Sequence, residues 1–243
     1  MKAMKISLRD FNTFERLLWT ASVTILTISY VLSGLCLSGV PAKFLSALLV
    51  LVTSVIGVTA VLICGKGLPL GQALLIVFAV LYGIISFKER YYGEMITYMG
   101  MSAPMAALSL AEWIKNPASA RSAEVKTARL KKYEPLLLLL LTIAVTAVFY
   151  FILKALNTAN LFWSTVSIAT SFGAAYLTFR RNPFYALVYA MNDLVLIVLW
   201  AYAAMKDISA VTTLICFIVF FANDIYGFVN WRRIERRQSG QDF

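Results

Sequence analysis

Two stretches hold side chains that could grip a small polar ligand. YAMNDLVLIVLW runs from Tyr189 to Trp200, and FFANDIYGFVNW from Phe220 to Trp231. Each joins an amide to a carboxylate, Asn192 with Asp193 and Asn223 with Asp224, inside otherwise apolar sequence flanked by aromatic rings. Amides donate to and accept from hydroxyls or a carboxamide, and aromatic faces stack on flat rings or attract cations. At helical pitch Tyr185, Tyr189, Asn192, Leu196 and Trp200 fall in a stripe about 80° wide, with Asp193 on its flank. Asn223, Gly227 and Asn230 share a face of the last segment, with Tyr226 to one side and Asp224 turned away. Earlier in the chain Gln72, Tyr82 and Ser86 are weaker polar candidates.

Enzymatic chemistry finds little support. The chain has no His, and HExxH, GxSxG and a Walker A loop are missing; Gly65-Lys66-Gly67 lacks both the upstream Gly and the following Ser or Thr. Carboxylate chemistry through Asp193 and Asp224 remains as the enzymatic alternative. Cys36, Cys64 and Cys216 are isolated, without metal-ligand spacing, so neither metal nor cofactor is expected.

The elements that carry these residues are set by composition. Of 243 residues 60% are hydrophobic, too many for a soluble protein to hide. Apolar runs near the length that a helix needs to cross ~30 Å of hydrocarbon occur at about 17–36, 44–64, 69–87, 92–113, 135–153, 161–179, 184–204 and 210–231. Their unbroken character excludes barrel strands. The expected fold is an all-α integral membrane protein with eight transmembrane helices. The first is read as a retained span, because Leu35 directly before Cys36 does not suit signal cleavage; a cleaved leader would leave seven. Among the basic residues, Lys43, Lys88, Arg90, Lys154 and Lys206 fall on one side and the other 17 of 22 on the side of the termini, which the positive-inside rule makes cytoplasmic. The net charge of +10 then reflects topology and contact with anionic lipid, and nucleic acid is not an expected partner. The KTARLKK run at 126–132 is expected at the head-group level, at about 1 kcal/mol per basic residue.

The last span tests whether lipid could accept its polar groups. A central Asp costs about 2.5 to 3.5 kcal/mol, against about 0.3 to 0.6 returned by each of eleven Leu, Ile, Val and Phe residues between Val211 and Val229. Two asparagines leave insertion marginal, so the polar face is expected to be enclosed by protein or water.

An internal repeat supplies the enclosure. A shift of 118 residues places Phe44 on Phe162, Tyr82 on Trp200, Lys88-Glu89 on Lys206-Asp207, Trp113 on Trp231 and Lys115 on Arg233 without a gap. Two three-helix units, 44–115 and 161–233, flank a basic loop and linker helix at 116–160. An N-terminal segment with an extra helix (1–43) and a basic tail (234–243) complete the chain. A single helix between two triplets makes them parallel repeats, as in SWEET-type transporters, with a site expected at their interface. Pro104 is expected to bend the helix ending at Trp113. Glu94 and Glu112 are read as solvated near span ends, and Trp19, Trp113, Trp163 and Trp231 as interfacial anchors.

KERYYGEM at 88–95, YAMNDLVLIVLW and above all FANDIYGFVNWRR at 221–233 resemble the PnuC family of bacterial vitamin transporters, over about residues 44–233. The resemblance implies facilitated diffusion of nicotinamide riboside through the inner membrane, trapping by cytoplasmic phosphorylation, and a homotrimer with a path in each subunit. It places the family's aromatic stretch and Asn at Tyr185, Tyr189 and Asn192, with tyrosines where relatives for nicotinamide riboside have tryptophans; thiamine, riboflavin or a deoxynucleoside are the alternative cargoes. A subunit dependent on a separate ATPase is a third reading. The expected substrate contacts are Asn192, Trp200, Tyr185, Tyr189, Asn223, Tyr226, Gln72 and Tyr82, with Asp193, Asp224 and Asn230 in the pathway or pairing helices.

Overall fold

The computed structural model describes residues 11–36, 41–88, 91–119, 122–158, 160–206 and 208–240. The apolar runs are helices: α1 (Thr13–Cys36), α2 (Pro41–Gly65), α3 (Pro69–Lys88), α4 (Tyr92–Thr97), α5 (Ala103–Lys115), α6 (Glu134–Ala155), α7 (Leu161–Phe179), α8 (Tyr185–Ala204) and α9 (Val211–Gln238). Among the described residues β pairing is limited to one bridge, Pro117 with Val125. Among the described residues five helices, α2, α3, α6, α8 and α9, are long and apolar enough to cross a membrane. Frequent Ser and Thr dilute α1 and α7, and the segment expected at 92–113 is broken into pieces.

That break has a local cause. Pro104 has no N–H for the turn before it and its ring crowds the carbonyl four residues back. The chain widens there into a π-helical turn, Tyr98–Ser102, between α4 and α5. Elsewhere turns follow from residue type. Gly67 adopts φ 69° after α2, and Pro69 opens α3, where its missing N–H is harmless.

Helices α2, α3, α5, α7, α8 and α9 surround the interior, α1 lies against α2 and α9, and α6 rests on α7. Leu136, Leu137, Leu139, Leu140, Ile143 and Phe151 of α6 are all exposed, a ridge suited to hydrocarbon. Backbones come closest where α2 crosses α9: a Cβ on Gly65 would lie 3.3 Å from the Gly227 Cα. Beside this crossing Asn230 Nδ2 donates to Gly65 O (2.9 Å) and Trp231 Nε1 adds a second donor to Cys64 O (2.8 Å), so side chains of α9 bond the last carbonyls of α2.

At the end where α1 begins and α9 finishes, the loop after α5 is tied to the bundle through its backbone, while Lys126, Arg129, Lys131 and Lys132 stay exposed. It folds across the bundle. Val125 is fully buried, and its N–H donates to Gly67 O (2.8 Å). Ala128 N donates to Arg181 O (3.0 Å), and Gln238 Nε2 to Val125 O (3.0 Å). The expected basic tail is a continuation of α9 to Gln238, in which Arg237 pairs with Glu124. Backbone groups of an irregular segment need partners, and open helix ends supply them.

The first turn of α1 is fixed by a capping box. Glu15 N donates to Asn12 Oδ1 (2.8 Å) and Asn12 N to Glu15 Oε2 (2.7 Å). The same carboxylate accepts from Lys66 Nζ (2.7 Å) and Tyr226 OH (2.7 Å), so one group ties α1 to α2 and α9. Burial raises the Glu15 pKa, but hydrogen bonds from Lys66, Tyr226 and Asn12 outweigh it and hold the group below its ordinary 4.5. A depressed carboxyl stabilises the fold above its unfolded pKa and loses that contribution as pH falls through the folded value. Glu15→Gln should therefore lower stability by about 2 kcal/mol at neutral pH. In thermal unfolding of detergent-solubilised protein, the gap between wild type and variant should be constant above the ordinary carboxyl pKa and close as the medium is acidified below it.

Candidate functional site

A cavity in the interior is lined by Cys64, Leu75, Phe78, Ala79, Tyr98, Ser102, Ala106, Ser171, Tyr185, Tyr189, Asn192, Asp193 and Asp224, with Val61, Phe217 and Phe220. Of the sequence candidates, Tyr185, Tyr189, Asn192, Asp193 and Asp224 meet there. Helix α8 presents the first four because they lie on neighbouring stripes, and α9 brings Asp224 against Asp193.

Asn192 is held from α7. Its Oδ1 accepts from Thr170 (2.8 Å), Ser171 (3.0 Å) and Ser167 (3.3 Å), so the amide N–H₂ is left as donor for an occupant. The α7 hydroxyls, read from sequence chiefly as small packing residues, thus orient the principal amide. The carboxyls of Asp193 on α8 and Asp224 on α9 lie close enough to act on each other. Asp193 Oδ2 is buried and without a partner among the described residues. The cavity is lined by two carboxyls and by no lysine or arginine.

Aromatic layers close the cavity at both ends. Toward the termini, Trp113 and Trp231 pack with ring centroids 5.3 Å apart, and Tyr185 stands edge-on to Trp231 at 4.9 Å. The tryptophans are 1% and 0% exposed, so they are core residues and not interfacial anchors. Their N–H groups cross between the halves of the chain: Trp113 Nε1 donates to Thr178 O on α7 (2.9 Å) and Trp231 Nε1 to Cys64 O on α2 (2.8 Å). At the far end Tyr82 lies 4.3 Å from Tyr98 and 6.2 Å from Trp200, and Tyr91 meets Trp200 at 5.2 Å.

The remaining candidates stand outside the cavity lining. Tyr82 and Trp200 belong to the far aromatic layer. Asn223, fully buried, donates to Val219 O (2.8 Å) and to Ser22 of α1 (3.4 Å). Tyr226 donates to Glu15, also of α1. Both had been expected to face the cargo; α1, treated as an appendage to the repeats, covers that face of α9 instead. Gln72 sits behind the cavity wall, with Nε2 3.2 Å from Cys64 Sγ. Asn230 pairs α9 with α2.

Tyr98 and Ser102 had no signal as ligand contacts; the sequence clue was Pro104, whose distortion of the backbone turns both toward the cavity. Glu94, read as solvated, is 3% exposed. Glu112 is half-buried and pairs with Arg181 at 3.3 Å.

A family model described as nicotinamide mononucleotide transporter matches residues 47–233. The chain belongs to this family. A nicotinamide riboside transporter PnuC of Neisseria mucosa is 27% identical over 194 residues, which cover 78% of this chain and 74% of that protein. The crystal structure of the vitamin B3 transporter PnuC superposes with a TM-score of 0.77 over 94% of both chains, at 23% identity. The resemblance carried by FANDIYGFVNWRR is borne out, and the protein is a multi-pass membrane transporter of the PnuC type, whose relatives are transporters and not enzymes.

The reciprocal tryptophan bonds give a direct check. Trp113→Phe and Trp231→Phe each remove one buried hydrogen bond from a carbonyl that keeps a backbone donor, and each should cost about 0.5 to 1.5 kcal/mol. Comparable drops in melting temperature are expected for the two purified variants; a drop in one alone would mean that the bonds are not equivalent.

Proposed function

We propose that the cavity carries nicotinamide riboside across the bacterial inner membrane by facilitated diffusion, with trapping by phosphorylation inside the cell. One observation carries the choice: the lining offers carboxyls and no basic side chain. A mononucleotide would bring a phosphate into contact with Asp193 and Asp224, whereas the riboside brings only a pyridinium cation. The paired carboxyls of Asp193 and Asp224 are the acidic groups a cationic ring would meet, and Tyr98, Tyr185 and Tyr189 add cation-π attraction of about 0.5 to 2 kcal/mol. The Asn192 amide serves as donor to ribose oxygens or to the carboxamide, and Ser102 and Ser171 extend the polar lining.

The same reading takes eight membrane spans, an extra first helix and two same-facing triplets at 44–115 and 161–233. Support comes from positions 118 residues apart that meet around the cavity. Leu75 and Asp193 both line it, as do Ala106 and Asp224; Trp113 packs on Trp231 and Tyr82 meets Trp200. The last helix of each triplet donates its tryptophan N–H to the first helix of the other. In this arrangement the polar wall belongs to the second triplet and the apolar wall of Leu75, Phe78 and Ala79 to the first. Rocking of one triplet against the other opens the two aromatic layers in turn. The basic-residue bias places both termini in the cytoplasm, and assembly as a homotrimer follows the family resemblance.

Calorimetry on the purified protein tests the cargo. Nicotinamide riboside should bind, the mononucleotide should bind at least a hundredfold more weakly, and riboflavin and deoxynucleosides should give no heat. Asn192→Leu should abolish binding while leaving the protein monodisperse. Tighter binding of the mononucleotide, or of thiamine, would replace the proposed cargo.

A further inference from the structure

Four polar atoms cluster without partners at the far aromatic layer. The Tyr82 hydroxyl and Ser86 Oγ on α3, Glu94 Oε2 on α4 and Trp200 Nε1 on α8 are all buried, and none makes a hydrogen bond among the described residues. The Tyr82 hydroxyl and Trp200 Nε1 approach each other, yet the geometry satisfies neither. A buried orphan costs about 1 to 3 kcal/mol, and a carboxyl costs more. Four together mark a place built for something other than packing.

The surroundings of Glu94 say what that is. Tyr91 and Tyr98 lie three residues before it and four after it, so all three project from one side of the α4 segment. Tyr91 meets Trp200, Tyr98 meets Tyr82, and Tyr82 meets Trp200, which closes an aromatic ring system around that side. The Glu94 carboxyl is near enough to act electrostatically on the phenols of Tyr82 and Tyr98. Beyond this layer, Tyr91 and Trp200 line a small cleft; within it, Tyr98 lines the main cavity. The cluster therefore stands between cleft and cavity. Glu94 has no acidic counterpart in the second repeat, where the equivalent position is Thr212.

We propose that Glu94 is the charge-selecting residue of the outer gate, admitting a positively charged aromatic ring between Tyr82, Tyr91 and Trp200 before it reaches the cavity. The carboxylate supplies the countercharge, the three rings supply π faces, and the orphaned hydroxyl and indole N–H become donors to the passing ligand. Because the gate acts on passage, its effect falls on entry rate and not on affinity for the inner cavity. This assignment rests on the cargo reading above, which is why the decisive comparison varies charge alone.

The test uses the full-length protein in proteoliposomes that contain a riboside kinase and ATP to trap cargo. Initial uptake is measured for nicotinamide riboside and for 1,4-dihydronicotinamide riboside, a neutral ring of nearly the same shape. Wild type should prefer the cation. Glu94→Gln should lower cation uptake at sub-saturating concentration about tenfold and leave the neutral analogue within twofold, so that the preference collapses. Glu94→Asp, which keeps the charge, should retain most of it, and serves as the working variant if the Gln form does not fold. Equal loss for both substrates would assign Glu94 to folding and overturn the proposal, as would an unchanged preference in Glu94→Gln. Wild-type protein that binds and carries neither compound would instead defeat the cargo reading, and this inference with it.

Discussion

A carboxyl or amide inside hydrocarbon has no water to turn to, so each such group must be answered by the protein itself or by a ligand. That constraint organises the interior. Asn192 stays in place because three hydroxyls of α7 surround its carbonyl oxygen. Asp193 and Asp224 answer each other across the α8–α9 contact. Asn230 and Trp231 close the carbonyl end of α2, and Trp113 does the same for α7. Polar residues that look exceptional in sequence are thus the fastenings between helices.

Two groups of unanswered atoms have different characters. In the cavity they are carboxyl and amide groups, in a lining that also includes leucine, phenylalanine and alanine side chains. At the far layer they are a carboxyl, two hydroxyls and an indole N–H among packed rings. The layer toward the termini has no comparable orphans at its tryptophans, whose N–H groups are bonded. The two closures are therefore unequal. One is latched by hydrogen bonds between the halves, and the other packs through ring contacts, with polar atoms that have no hydrogen-bond partner among the described residues.

Around the latched end the chain adds further ties. The loop after α5 joins the α2–α3 turn through Val125, the α7–α8 turn through Ala128, and α9 through Gln238 and Arg237. Glu15 links α1 to Lys66 and Tyr226 on the same side. Any movement that opens this end must loosen or carry these contacts, because they connect elements from both halves.

Much of this was legible in the sequence. Apolar run lengths gave the helices, charge bias gave the sidedness of the reading, and the NDLVLIVLW and ANDIYGFVNW motifs pointed to the family and to Tyr185, Tyr189, Asn192, Asp193 and Asp224. These signals are local: segment hydrophobicity depends on composition, and the stripe on α8 depends only on helical pitch. Which residues face which was not legible. Asn223 and Tyr226 share a polar face with the right spacing, yet α1 occupies it; Glu94 sits where a surface helix would be wet, yet it is buried in a segment packed on α3. Periodicity fixes the angle of a side chain about its own helix and carries no information about the neighbour across from it. That neighbour is chosen by packing between segments up to 211 positions apart, as Glu15 and Tyr226 are, and so only the tertiary structure could decide it.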